Sequence, residues 1–173
     1  MENVFENFID YKIVKIEDSN IGQVFNLCKQ NKKYYEYLQE KASLDGVKSI
    51  INELPPNTTI DKKYFVGFYK ANKLVAILDL IDGYPDENNA FIGLFMIDVN
   101  CQGKGVGQDI IKNILNSLKS NNYSGVGLGV IDKNKEALSF WEKMGFEKTG
   151  QIYNHEKYNV IMLNYNLQKN GEN

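Results

Sequence analysis

Residues 91–120 run FIGLFMIDVNCQGKGVGQDIIKNILNSLKS, and the fold is decided by how this stretch is read. Phe91–Val99 is an almost unbroken apolar run of strand length carrying one charge, Asp98. Such a run predicts a strand covered on both faces. A polar step leads into Gln102, Gly103, Lys104, Gly105, Val106 and Gly107. From Val106, the residues Ile110, Ile111, Ile114, Leu115 and Leu118 fall on one stripe at helical spacing. Asp109 in the first turn and Lys119 in the last both suit the helix dipole. The unit is a strand, a glycine-rich turn and a helix.

The first turn of a helix has backbone N–H groups without partners inside the helix, and it carries positive partial charge. Glycines at 103, 105 and 107 leave those donors unshielded, which points to an anion site, phosphate above all. The same glycines also suit a turn that needs only φ > 0. Spacing narrows the choice of phosphate site. Gln108 follows Gly107, so G-x-G-x-x-G is not met, and no G-x-x-x-x-G-K-[ST] occurs. What the chain carries is Gln102-x-x-Gly105-x-Gly107.

Working outward toward the N-terminus, Asp82–Asn89 is a loop by composition. Lys73–Ile81 (KLVAILDLI) and Tyr64–Lys70 (YFVGFYK) form a hairpin about Ala71-Asn72. Residues 20–41 and 43–54 are expected to be helical, with breaks near Asp45-Gly46 and at Pro55-Pro56. Tyr34, Tyr35 and Tyr37 cannot all face inward on one helix, so some line a groove or an interface. Tyr11–Ile16 makes a first strand.

Toward the C-terminus, Ser124–Ile131 is a strand with Gly125, Gly127 and Gly129 on one face. Glycine weakens a strand unless something lies close against the backbone. Here that is a cofactor or a tightly packed helix. Asn134–Met144 is a second amphipathic helix, with Ala137, Leu138, Trp141 and Met144 inward and Gly145 as its stop. Phe146–Tyr153 and Asn159–Leu167 close the chain as strands around a polar loop holding His155. The pattern predicts a mixed α/β sheet in one domain over residues 1–173.

Composition excludes several classes. At 173 residues with 43% apolar and 24% charged content, the chain suits an ordinary soluble globule. A net charge of −2 gives no basic excess, so nucleic acid and anionic membrane are not expected partners. Cys28 and Cys101 are too few for a disulfide framework, and with His155 the only histidine a zinc site is not expected. MENVFENFID lacks the pattern of a signal peptide, and no apolar run has membrane-spanning length. A cytoplasmic protein is expected.

Three segments together resemble the GNAT N-acetyltransferase superfamily. They are Gln102-x-x-Gly105-x-Gly107 after an apolar strand, the glycine-bearing strand at 124–131, and Asn134–Phe146. The last is similar to the family's Asn-x-x-Ala-x-x-Phe-Tyr-x-x-x-Gly-Phe segment. The resemblance covers about residues 64–167. It implies a mostly antiparallel sheet of about six or seven strands with a splayed central pair and about four helices. It implies acetyl-CoA as cofactor, with backbone groups around Met96, Ile97 and Asp98 meeting the pantetheine amides. The amides of Gln102, Gly103, Lys104, Gly105, Val106 and Gly107 would hold the pyrophosphate, with Lys104 adding charge or standing solvated. Asn134 and Trp141 would line the cofactor arm.

The resemblance also implies direct attack by an amine on the thioester, with one proton removed first. Trp141 stands where the family often has an acidic tyrosine, and indole N–H transfers no proton in this range. Phe91 stands where some relatives keep a glutamate base. Asp79, which interrupts an apolar run, is favoured as the base, with Asp82 and Tyr84 as further candidates. Tyr35 and Tyr84 are taken as acceptor contacts. The expected acceptor is a small-molecule amine; a protein amine, a non-catalytic CoA-binding role and a homodimer stay open.

Overall fold

The computed structural model describes residues 1–6 and 8–169. Asn7 and residues 170–173, which the one-domain expectation includes, lie outside the described residues. The chain runs β1 (Lys12–Lys15), α1 (Ile21–Gln30), α2 (Lys32–Leu38), α3 (Leu44–Ser49), β2 (Lys63–Lys70) and β3 (Lys73–Asp82). It continues β4 (Asn89–Ile97), α4 (Val106–Ser120), β5 (Gly125–Ile131), α5 (Lys135–Lys143), β6 (Glu147–Asn154) and β7 (Asn159–Asn166). The seven strands form one sheet in the order β1-β2-β3-β4-β5-β7-β6, antiparallel except for the β4–β5 pair. That parallel pair follows from α4, which carries the chain from the end of β4 back to the start of β5.

Two cores sandwich the sheet. One packs Ile110, Ile111, Ile114 and Leu118 of α4 and Leu138 and Trp141 of α5 onto Leu78, Leu80, Val126 and Leu128. The other packs Val24, Leu27 and Cys28 of α1 and Val47 of α3 onto Phe65, Ile77 and Met96. The stripe of α4 and the inward set of α5 are as the sequence predicts. The hairpin turn is also as expected: Ala71 and Asn72 both take positive φ, 47° and 62°, matching the twist of the flanking strands.

The helical region departs from expectation. The run at 20–41 breaks at Asn31, whose φ −80° and ψ 57° leave the helix. Its side-chain amide donates to the Leu27 carbonyl and across to the Ile97 carbonyl, so a tertiary contact overrides helix propensity. Residues 43–54 shrink to Leu44–Ser49, which passes through Asp45-Gly46 without a break because Ser43 caps its start from Gly46 N–H at 3.0 Å.

Candidate active site

The cleft begins at one glycine. β3 pairs Asp79 with Leu94 and Leu80 with Ile92, so Gly93 is an extra, unpaired residue, a β-bulge. The parallel pairing of β4 with β5 stops at the same level, at Ile92 and Leu128. Beyond it the two strands part. Asp98 N–H donates to the Val75 carbonyl on the β3 side at 2.9 Å. Strand alternation then turns the backbone groups of Met96 toward β3 as well, and those of Phe95 and Ile97 toward the cleft. Of the expected Met96, Ile97 and Asp98, Met96 and Ile97 line the cleft together with Phe95, but the main-chain groups of Met96 face β3 and Asp98 lies outside it. Asp98 is not in the strand; it caps the short turn Val99–Cys101 by accepting from Asn100 N–H at 2.8 Å, and it pairs with Lys73 at 3.2 Å.

The glycine turn separates into two jobs. Gly103 and Gly105 have φ of 71° and 82°, where an L side chain is strained, and a Cβ at either would meet open space. Gly105 is the N-cap of α4 and makes no side-chain cap, so the first N–H groups of α4 are left for an anion. Gly107 differs: a Cβ there would collide with Ile97 Cδ1 and reach Phe140 at 3.4 Å. It is bare so that the helix packs on the strand, not to admit a ligand. Lys104 is exposed, and among the described residues it makes no ion pair.

Gln102 does more than precede the glycines. Its Nε2 donates to Asn31 Oδ1 at 2.8 Å and to the Ile97 carbonyl at 3.2 Å, while Asn31 Nδ2 donates to the same carbonyl at 3.1 Å. This clamp ties the turn, the end of β4 and the α1–α2 junction together. Sequence reasoning missed Asn31; a polar residue standing beside the apolar stripe, before three tyrosines, was the available signal.

Two cavities meet along the parted strands. A motif-side cavity of about 350 Å³ is lined by Asn31, Lys33, Ile97, Gln102 and Glu136. A sheet-side cavity of about 340 Å³ is lined by Phe91, Gly93, Leu94, Gly129, Tyr158 and Met162. Tyr34, Phe95, Asn134, Ala137 and Trp141 line both. Asn134 Oδ1 accepts from Ala137 N–H at 3.0 Å to cap α5, which leaves its NH2 as the side-chain donor. Trp141 packs against Phe140 and Phe146, each at 5.0 Å between ring centres, so it is a wall and not an acid. The three strand glycines meet neighbouring strands rather than a helix: Gly125 lies against Asn89, Gly127 against Phe91 and Gly129 against Val160.

The tyrosines sort differently from expectation. Tyr35 turns into the core beside Cys28; burial and the Cys28 contact push its hydroxyl far up. Tyr34 faces both cavities in its place, with burial raising its pKa to about 12. Tyr84 reaches the site only through Phe91, edge-on at 5.4 Å. Tyr158, from the loop between β6 and β7, is a lining residue that no local pattern singles out. His155 is exposed and stacks on it at 4.4 Å.

Asp79 is buried and lines neither cavity directly. Its Oδ2 accepts from buried Lys63 Nζ at 2.7 Å, and Lys63 also donates to the Glu53 carbonyl. Asp79 Oδ1 is buried and has no hydrogen-bond partner among the described residues. Burial pushes the Asp79 carboxyl up against the opposing pull of Lys63. A Cβ on Gly93 would lie 2.6 Å from Asp79 Oδ2, so the carboxylate sits directly behind this exposed cavity residue. Asp82 is engaged elsewhere, accepting from Tyr123 O–H at 2.6 Å and pairing with Lys62 at 3.4 Å.

An open strand edge running into a glycine-lined helix N-terminus suits an extended ligand that carries phosphate, with a second cavity beside it. The sequence pattern of the acetyltransferase (GNAT) family matches residues 29–146, and the chain belongs to that family. It is an acetyl-CoA-dependent N-acetyltransferase. A spermine/spermidine N(1)-acetyltransferase of Bacillus subtilis is 29% identical over 105 residues, spanning 57% of this chain and 69% of that protein. The structure resembles an acetyltransferase from Thermus thermophilus with a TM-score of 0.73 at 16% identity, covering 91% of this chain and 97% of the other. It also resembles a spermidine N-acetyltransferase from Vibrio cholerae in complex with CoA and spermine, with a TM-score of 0.68 at 20% identity over 92% and 97% of the chains. Among the described residues, no helix is long and apolar enough to cross a membrane.

Proposed function

We propose that residues 1–173 form one catalytic domain that acetylates a small-molecule amine by direct attack, with both substrates bound together. The observation that carries this is the parting of β4 from β5 at Gly93. Beyond it the motif-side cavity and the sheet-side cavity, read as the acceptor site, share the walls Tyr34, Phe95, Asn134, Ala137 and Trp141. The relatives named for spermine and spermidine support an amine of low mass as acceptor. The free thiols of Cys28 and Cys101 support a reducing compartment such as the cytoplasm. Homodimerisation is an open part of the proposal.

Acetyl-CoA, when bound, supplies an activated acetyl group whose carbonyl is open to a nucleophile. The first N–H groups of α4 would hold its pyrophosphate, and the Phe95 backbone and Asn134 NH2 would hold the arm. Trp141, Phe140 and Phe95 pack together as an apolar wall that would keep water from the thioester. An ammonium does not attack, so a proton must leave first. We assign Asp79 as its acceptor, through a water at the Gly93 bulge. Burial raises the carboxyl, and its Oδ2 lies directly behind Gly93, within 2.6 Å of where a Cβ there would stand.

Release of free thiol from acetyl-CoA, measured over a panel of small amines, tests the reading. Amine-dependent release is expected; acetyl-CoA binding with no release over the panel contradicts catalysis. Asp79→Asn is expected to lower kcat about 100-fold and to remove the acidic limb of the pH profile, with acetyl-CoA affinity kept. A mutant that retains the limb excludes Asp79 as the proton acceptor.

A further inference from the structure

The acceptor cavity says more about its substrate than the names of the relatives do, provided that the sheet-side cavity is the acceptor site just proposed. Its wall is aromatic and aliphatic: Tyr34, Leu38, Phe91, Leu94, Tyr158 and Met162 are representative. Among the described residues, no Asp, Glu, Lys, Arg or His side chain lines it. Each carboxylate near it has a protein partner on one oxygen. Asp132, next to the lining residue Ile131, accepts from Asn159. Its other oxygen, like Asp79 Oδ1, is buried without a partner among the described residues. Asp79 behind Gly93 is held by Lys63 at 2.7 Å. Glu40, just after α2, pairs with Lys157 at 2.9 Å, from the loop that also carries Tyr158. Glu136 at the neighbouring mouth is held by Lys33 at 2.8 Å. Glu53, whose field reaches Tyr34, accepts from Ser49 O–H.

A polyamine brings several ammonium groups, and only the reacting nitrogen is neutral at the moment of attack. The others would need carboxylates, because a charge moved into an apolar wall without a partner is strongly disfavoured. An amine with one nitrogen leaves no charge behind once it has lost its proton. Its carbon body can then fill an apolar cavity, and before that the tyrosine faces can attract the single cation. We propose that the preferred acceptor is a primary amine carrying a single nitrogen on an aromatic or branched aliphatic body, not a polyamine. Leu38, half-buried at the end of α2, Phe91 and Met162 set that preference by supplying wall in place of charge.

The test compares kcat/KM for 2-phenylethylamine and for spermidine by thiol release, with acetyl-CoA binding measured separately by calorimetry. The expected result is a preference for phenylethylamine of at least about tenfold, since a desolvated unpaired charge costs more than one such factor. Leu38→Glu, which puts a carboxylate at the cavity edge, is expected to shift that ratio toward spermidine by at least about threefold. Equal or better use of spermidine by the unaltered protein overturns the proposal, as does turnover of neither amine when acetyl-CoA binds normally. Failure of acetyl-CoA to bind would instead overturn the functional reading on which this rests.

Discussion

The two ends of the channel recognise their ligands by different means. The motif side is made of main chain: the open edge of β4 at Phe95, two glycines with positive φ, and the first N–H groups of α4. The sheet side is made of side chains drawn from α2, β4, β5, β7 and the β6–β7 loop. A backbone site tolerates change at most neighbouring side chains but fails at the few positions that shape the main chain. A side-chain site retunes with each substitution. The first is therefore readable from a short motif, and the second only from the assembled fold.

The largest expected effect lies between the two ends. Lys63→Met removes the partner of buried Asp79 and is expected to destabilise the fold by about 3–5 kcal/mol in chemical denaturation at neutral pH. The Asp79 carboxyl is already raised by burial, so its protonated form is the one that folding favours. That contribution is full below the unfolded value and is lost as pH rises through the folded one. The loss in Lys63→Met should accordingly shrink toward acid pH, and adding Asp79→Leu should restore most of the stability. A double variant no more stable than the single one would show that the pair is not the source.

Next comes the motif side. Gly105→Asp sets a carboxylate where an anion is to bind and is expected to weaken acetyl-CoA about 100-fold or more by calorimetry. Gly105→Asn takes the same positive φ with a similar side chain and no charge, and it should lose far less affinity. Equal losses in the two would mean that strain, not charge, governs the site.

Smaller effects mark the joints. Asn31→Ala breaks the clamp among Gln102, Ile97 and the α1–α2 junction and should cost about 1–3 kcal/mol of stability. Because Tyr34 stands just beyond that junction, KM for the amine should rise more than Kd for acetyl-CoA; the reverse would place the clamp on the cofactor side alone. Asp98→Asn should cost about 1 kcal/mol at neutral pH. Burial opposes ionisation of Asp98, but Asn100 and Lys73 outweigh it and hold its pKa below the usual range. Its contribution is thus present above the unfolded value and fades as pH falls through the folded one, so mutant and parent should converge in acid.

The contrast between the two ends also explains what the sequence could tell. Local rules carried the strand–turn–helix unit, the hairpin at Ala71-Asn72 and the inward face of α5, because periodicity and turn chemistry act within a few residues. They did not carry Lys63, which looked like part of a polar loop until β2 placed it opposite Ile81, diagonal to Asp79 and within ion-pair reach of it. They preferred Tyr35 over Tyr34, since one residue of helical rotation decides between core and cavity and the break at Asn31 resets it. Gly93 was passed over although a lone glycine in a strand is a bulge signal, and it is the residue at which the cleft opens.

Amide hydrogen exchange with and without acetyl-CoA tests the central claim, that an open strand edge and a helix N-terminus together hold the cofactor. The account predicts added protection at the amides of Phe95, Val106 and Gly107 when acetyl-CoA is present. Asp98, whose N–H already donates to Val75, should be protected in both states. Protection appearing along β6 and β7 with Phe95 unchanged would contradict it.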